Sequence, residues 1–227
     1  MFSHAVPQAE KYADLLAREG VLRGLIGPRE VPRLWDRHLI NCALLARAIG
    51  EGQDVCDIGS GAGLPGLVLA LARPDLEVTL VEPLLRRTTF LQEAVDYLEL
   101  PNVEVIRSRA EELHGEREFS VVTSRAVAPL DRLLGWSMPL VRQHGELVAM
   151  KGSSVRDEIA GAGKALKKYG GGAVTVEEYG SGVVERPTIV VRVEATIPSQ
   201  LGLIRQGDRQ PVKKQAAKSR SRRRRDR

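Results

Sequence analysis

Aromatic side chains are scarce, making up 4% of the 227 residues. Rows of rings on which a single strand of nucleic acid could stack are therefore not evident. The chain carries two cysteines, Cys42 and Cys56. They are too far apart for a CxxC pair and read as buried, reduced thiols. Its four histidines, His4, His38, His114 and His144, are scattered. None has the close spacing of a ligand pair on a helix, so no metal site is expected. No apolar run approaches the ~20 residues that cross a bilayer. The first ten residues lack a basic stretch followed by an apolar one, which speaks against a secretory signal. The expected location is the cytoplasm, with no membrane partner and a monomeric state.

Charge is plentiful but unevenly distributed. Of the net +5, residues 205–227 hold eleven Lys and Arg against two Asp, a surplus of +9, so residues 1–204 carry −4. The run Arg222-Arg223-Arg224-Arg225 cannot bury itself and repels itself into an open chain. Such an arm suits a polyanion, whose counterions it would release. Residues 205–227 are thus expected to form a disordered basic tail.

The remainder divides in two. Residues 1–50 have helical periodicity, with Tyr12, Leu15 and Leu16, then Leu34, His38, Leu39, Leu44 and Leu45 near a period of 3.6, interrupted at Gly24, Gly27 and Pro28. They predict a helical cap. Residues 51–204 alternate strand-like and helix-like stretches. Strands are predicted at 54–58, 77–82, 103–107, 120–124, 146–151, 173–179 and 188–195. Helices are predicted at 65–72, 84–98, 130–142 and 155–169. Alternation of this kind implies a parallel sheet covered by helices on both faces. The last two strands have no helix between them and should form a hairpin, which sets one strand antiparallel. An α/β protein with a mostly parallel seven-stranded sheet and a C-terminal antiparallel hairpin has the sequence shape of the Rossmann-like class I methyltransferases.

The strongest local pattern is Asp57-Ile58-Gly59-Ser60-Gly61-Ala62-Gly63-Leu64-Pro65-Gly66. It follows a predicted strand and opens a predicted helix. Glycines there let the backbone turn tightly and approach a ligand. Gly61, Gly63 and Gly66 also satisfy GxGxxG, the weaker dinucleotide fingerprint. Glu82, at the end of the second strand, stands where a carboxylate can accept both ribose hydroxyls of a nucleotide-like cofactor, NAD or S-adenosylmethionine. The fourth strand ends Thr123-Ser124-Arg125-Ala126. It has no Asn/Asp-Pro-Pro-aromatic motif for an exocyclic amine and no cysteine for attack on a pyrimidine ring. An Arg-containing turn suits a nucleophile with a free lone pair, such as guanine N7, whose methylation depends mainly on positioning.

Together these stretches closely resemble the RsmG (GidB) family of guanine-N7 methyltransferases of bacterial 16S rRNA. The matching residues are Arg37-His38-Leu39, the Asp57–Gly66 segment, Arg86-Arg87 with Phe90-Leu91, Ser108-Arg109-Ala110-Glu111-Glu112, Ser124-Arg125-Ala126 and Lys151-Gly152. The resemblance implies S-adenosylmethionine as cofactor and 16S rRNA or the small ribosomal subunit as partner. It implies cofactor contacts at Gly59 and Leu64, at Glu82 for the ribose, at Ala110 and Glu111 for the adenine, and at Arg125; Gly61 and Gly63 join this set as glycines of the same turn. It further implies Arg125, Lys151 and Arg186 as the residues that hold the target base or its phosphates. The sequence departs from the family's Asn-Leu-Thr stretch, having Arg23-Gly24-Leu25-Ile26-Gly27-Pro28 instead. Three other readings stay open at this level: a small-molecule methyltransferase of the same fold, an NAD(P)-dependent oxidoreductase, and a non-catalytic RNA-binding module.

Overall fold

The computed structural model describes residue 2 and residues 4–208, with side chains described through residue 204. Its centre is a seven-stranded sheet built from β1 (Asp54–Ile58), β2 (Glu77–Val81), β3 (Val103–Ile106), β4 (Phe119–Arg125), β5 (Val141–Lys151), β6 (Gly171–Tyr179) and β7 (Thr188–Ala195), in the order β3-β2-β1-β4-β5-β7-β6. β1 pairs in parallel with both β2 and β4, and β4 with β5. β7 lies antiparallel between β5 and β6, as the helix-free link predicts. The central strands are covered on both faces, so consecutive residues of β1, β2 and β4 are buried, the polar Asp57, Thr79, Thr123 and Ser124 among them. Alternate residues serve the two sides: Val55, Val121, Val148 and Val190 face one core, while Cys56, Val122, Leu147 and Val191 face the other.

The first core is closed by α1 (Val6–Leu15), α2 (Ile40–Leu45), α3 (Gly66–Ala72) and α4 (Leu85–Leu98). Tyr12, Leu16, Leu39, Leu67 and Phe90 are fully buried there. The second is closed by α5 (Leu130–Ser137), α6 (Val155–Gly161) and α7 (Gly163–Lys168), with Leu133, Leu134 and Val155 inside. The N-terminal cap is less regular than its periodicity predicts. A π-turn (Leu16–Gly20), a 3-10 segment (Pro28–Arg33) and a second π-turn (Leu34–Leu39) separate α1 from α2.

Besides shifts of one or two residues at the ends of strands and helices, three larger differences from the expected elements stand out. The helix expected over 130–142 stops at Ser137. Pro139 cannot donate to an α-helical ladder, and a 3-10 turn (Met138–Leu140) leads into β5, which starts at Val141. The helix expected over 155–169 is split at Ala162, between Gly161 and Gly163. A helix α8 (Gln200–Asp208) was not anticipated. Ser199 Oγ accepts the N–H of Gly202 in its first turn. This helix runs four residues into the stretch expected to be tail, and residues 209–227 lie outside the described residues.

Candidate functional site

Parallel strands present their C-terminal ends on one edge of the sheet, and ligand crevices of open α/β sheets form there. At that edge β1 breaks into a turn in which Gly59, Gly61 and Gly63 all have positive φ, of 66°, 59° and 92°. The turn is pinned from below: the N–H groups of Gly59 and Ser60 donate to Val81 O at 2.8 and 3.2 Å. It is pinned from the cap by Tyr12, whose buried hydroxyl donates to Ala62 O at 2.6 Å.

The glycines of this turn serve different purposes. At Gly61 a side chain would meet nothing closer than 3.8 Å, so that position faces open space. At Gly59 a Cβ would touch only Val127. At Gly63 it would fall 2.4 Å from Leu67 Cδ1 and 2.9 Å from the Tyr12 hydroxyl, and at Gly66 2.2 Å from Leu80 Cδ2. Gly63 and Gly66 thus let the turn and α3 pack closely against the body. Gly63, expected among the cofactor contacts, does not line the cleft, whereas Gly59, Gly61 and Leu64 do.

That cleft has a volume of about 750 Å³ and runs between the glycine turn, the Glu82–Leu84 segment, Arg87 and Arg109, the cap residues His38 and Ile26, and Arg125 to Val127. Glu82 is 1% exposed. One carboxylate oxygen accepts the N–H of Gly61 at 3.1 Å and faces Arg87 at 3.4 Å, and the other accepts the N–H of Leu84 at 3.1 Å. A side recess of about 190 Å³ continues past Gly59 and is lined by Pro83, Ala110, Glu111 and Trp136. A second cleft of about 480 Å³ lies across Val127, bounded by Arg37, Asn41, Arg125, Ala128, Lys151 and Thr188. Val127 borders all three hollows, and Arg125 borders both clefts.

Arg125 closes β4, and Ala126 after it adopts a left-handed conformation with φ 53°. The Arg125 guanidinium donates to His38 Nδ1 at 2.8 Å, and His38 Nε2 sits 2.9 Å from Glu30. Burial, with Arg125 and Arg37 nearby, lowers the His38 pKa despite its bond to Glu30. Beneath the turn, Asp57 is wholly buried. Its Oδ2 accepts the N–H of Gly66 at 3.0 Å, while Oδ1 has no hydrogen-bond partner. Burial pushes its pKa up to about 7, against the pull of the Gly66 N–H, Ser60 and Arg125.

Lys151 is only 7% exposed. Its ammonium donates to Ala128 O and to Glu158, both at 2.7 Å, and Glu158 also accepts the N–H of Leu130 at 2.9 Å. Burial works to raise the Glu158 pKa, but Lys151 and the Leu130 N–H bring it below the ordinary value. Lys151, expected to hold phosphate or base, is in this geometry a strut under the loop from Ala126 to Pro129. Arg186 is exposed on the β6–β7 connection, in a separate hollow with Arg33, Arg37 and Asn41, and borders neither cleft. Periodicity and motif spacing assign no role to Tyr12, Glu30, the Asp57 carboxyl, Val127 or Trp136; of these, Tyr12, Glu30 and Trp136 reach the site only through tertiary packing. The Arg37-His38-Leu39 stretch was a legible signal, but not that His38 reaches the end of β4. Among the described residues no group of three or more His, Cys, Asp or Glu could hold a metal ion, and no helix is long and apolar enough to cross a membrane.

The family model described as rRNA small subunit methyltransferase G matches residues 5–187. A Nocardioides protein named ribosomal RNA small subunit methyltransferase G is 62% identical over 193 residues, covering 85% of this chain and 77% of its own length. The protein of the same name from Thermobifida fusca is 51% identical over 224 residues, 99% of this chain and 94% of its own. Among solved structures, a predicted O-methyltransferase from Agrobacterium tumefaciens superposes with a TM-score of 0.53 at 20% identity, over 67% of this chain and 79% of its own. A methyltransferase from Pyrococcus furiosus does so with a TM-score of 0.53 at 15% identity, over 69% and 83%. These two share the Rossmann-like fold.

Proposed function

The chain belongs to the rRNA small subunit methyltransferase G family, and from that premise we propose that it transfers the methyl group of S-adenosylmethionine to N7 of a guanine in 16S rRNA. The observation that carries this reading is the pair of clefts joined at Arg125 and Val127, one beside the glycine turn and one beyond the end of β4. The residues present suit the cofactor. The face of Gly61 is open where a side chain would otherwise fill the cleft, and the buried Glu82 carboxylate keeps lone pairs to accept ribose hydroxyls. Gly59, Gly61 and Leu64 would hold the amino-acid and ribose portion. Ala110 and Glu111 would border the adenine in the side recess, with Trp136 closing its far wall.

When bound, S-adenosylmethionine supplies a methyl group activated on a sulfonium. The chain's part is orientation. Guanine presents N7 and O6 as neighbouring acceptors on one edge. An Arg125 N–H not used by His38 would donate to O6 and leave the N7 lone pair free, so that N7 points across Val127 into the cofactor cleft. N7 loses no proton in the reaction, so no side chain is needed as a general base, and approach in line becomes the main source of rate. Arg37, 49% exposed at the mouth of both clefts, and Arg186 on the rim beside it are suited to rRNA phosphates. Lys151 would act indirectly, by fixing the loop that carries Val127. The reaction would run in the cytoplasm, where ribosomal subunits assemble.

The decisive experiment maps N7-methylguanine in rRNA from cells with and without this protein, with add-back of the parent chain and of Glu82→Ala. One modified guanine should disappear in the null strain, return with the parent and stay absent with the variant. An unchanged map in the null strain overturns the reading.

A further inference from the structure

Three charged or polar side chains form a line from the cap to the reaction edge. Glu30 belongs to the 3-10 segment, His38 to the second π-turn and Arg125 to the end of β4, 87 residues further on. His38 is 9% exposed and is bonded on both ring nitrogens, to Arg125 at 2.8 Å and to Glu30 at 2.9 Å. A guanidinium can only donate, so Nδ1 must offer its lone pair. The ring proton then resides on Nε2 and is donated to Glu30. The other Glu30 oxygen takes Arg37 at 3.1 Å.

We propose that His38 is a positioning residue for Arg125: as a neutral ring held by Glu30, it fixes the guanidinium across the junction of the two clefts. The proposal rests on the reading that Arg125 faces the target base.

The arrangement is sensitive to protonation in one direction. The groups facing the ring are Glu30, Arg37 and Arg125. Adding a proton to Nδ1 sets donor against donor and cation against cation, and Arg125 must leave. Burial and the two arginines keep the ring neutral at pH values where an exposed imidazole would already be charging. The acid limb caused by this release therefore falls below the ordinary imidazole range, and the rate is flat above neutrality.

Two conservative variants separate the two bonds. His38→Asn places an amide oxygen near the Nδ1 position and keeps the acceptor for Arg125. His38→Gln places an amide near Nε2 and keeps the donor for Glu30. Methyl transfer to small subunits is measured for the full chain and both variants, with the cofactor saturating, across pH 5 to 9. Histidine 15N resonances of the free protein report the tautomer. The Gln variant should lose about 10- to 100-fold in kcat, the span of one charge-assisted hydrogen bond, while the Asn variant stays within a few-fold. KM for the subunit and the Tm should change little between the two. The acid limb should be present in the parent and absent in the Asn variant. In an Arg125→Ala background the Gln substitution should cost nothing further. Equal losses in both variants, a drop in Tm with unchanged kcat, or an Nδ1–H tautomer in the parent would overturn the inference. The resonance measurement needs no substrate. A parent that leaves rRNA unmethylated but holds His38 as Nε2–H, shifted on Arg125→Ala, therefore counts against the substrate reading and not against the His38–Arg125 link.

Discussion

Replacing Asp57 by Asn tests the electrostatics beneath the glycine turn. The carboxyl is fully buried, with one oxygen bonded to the Gly66 N–H and the other unpaired, and its pKa is pushed up from 3.8 to about 7. A raised carboxyl pKa means that the folded state binds the proton more tightly than the unfolded chain. The stabilisation from this group is therefore complete below pH 3.8 and is lost as pH rises through about 7. The slope inside that window is at most about 1.4 kcal/mol per pH unit, or about 4 kcal/mol across three units. Asn has nearly the same shape, keeps an acceptor for Gly66 and does not titrate. Relative to the parent, Asp57→Asn should gain about 2–3 kcal/mol between pH 5 and pH 8. Equilibrium urea unfolding of both proteins at half-unit pH steps measures this directly, because groups common to both cancel in the difference. A difference that stays flat from pH 5 to 8 would refute the reasoning. Asp57 would then be ionised in the folded state, with its free oxygen satisfied by water.

Other expectations follow from the same geometry. Gly66→Ala forces a methyl against Leu80 and the Asp57 carboxylate and should destabilise by about 1–3 kcal/mol in thermal or urea unfolding, whereas Gly61→Ala meets no such clash and should cost only the backbone strain of an alanine at φ 59°, about 1–2 kcal/mol. Gly61→Trp should fill the cleft, so that calorimetry shows affinity for S-adenosylmethionine falling sharply while the circular dichroism spectrum is kept; unimpaired binding would rule out the glycine turn as the cofactor cradle. Lys151→Met breaks a pair intermediate in burial and should cost between the ~1 kcal/mol of an exposed pair and the ~3–5 kcal/mol of a buried one, a loss that an exposed phosphate-binding lysine would not produce. Truncation after Asp208, which keeps α8, should flatten the salt dependence of rRNA binding by a few units of slope at ~0.7–0.9 per phosphate, with affinity for S-adenosylmethionine unchanged. An unchanged slope would move the phosphate contacts to the folded body.

Local chemistry was enough for much of this protein. The alternation of apolar strands with amphipathic stretches, and the missing helix before Thr188, determined the parallel sheet and its antiparallel β7, because a crossover needs a helix and a hairpin does not. The glycine segment and the strand-end Glu82 were legible because close backbone turns and a carboxylate beside them are short-range requirements, met within 26 residues of one another. What each glycine does was not legible. Gly61 and Gly63 both have positive φ, yet one faces a cleft and the other faces Leu67 and the hydroxyl of Tyr12, which lies far earlier in the chain, on α1. The same holds for Lys151, a cation by composition and a strut by burial, and for His38, whose partner lies 87 residues on. Periodicity and motif spacing report what neighbours along the chain can do. Which side chain meets which across the cap, the turn and the end of β4 is set only when burial of two apolar cores brings those segments together and leaves each trapped polar group in need of a partner.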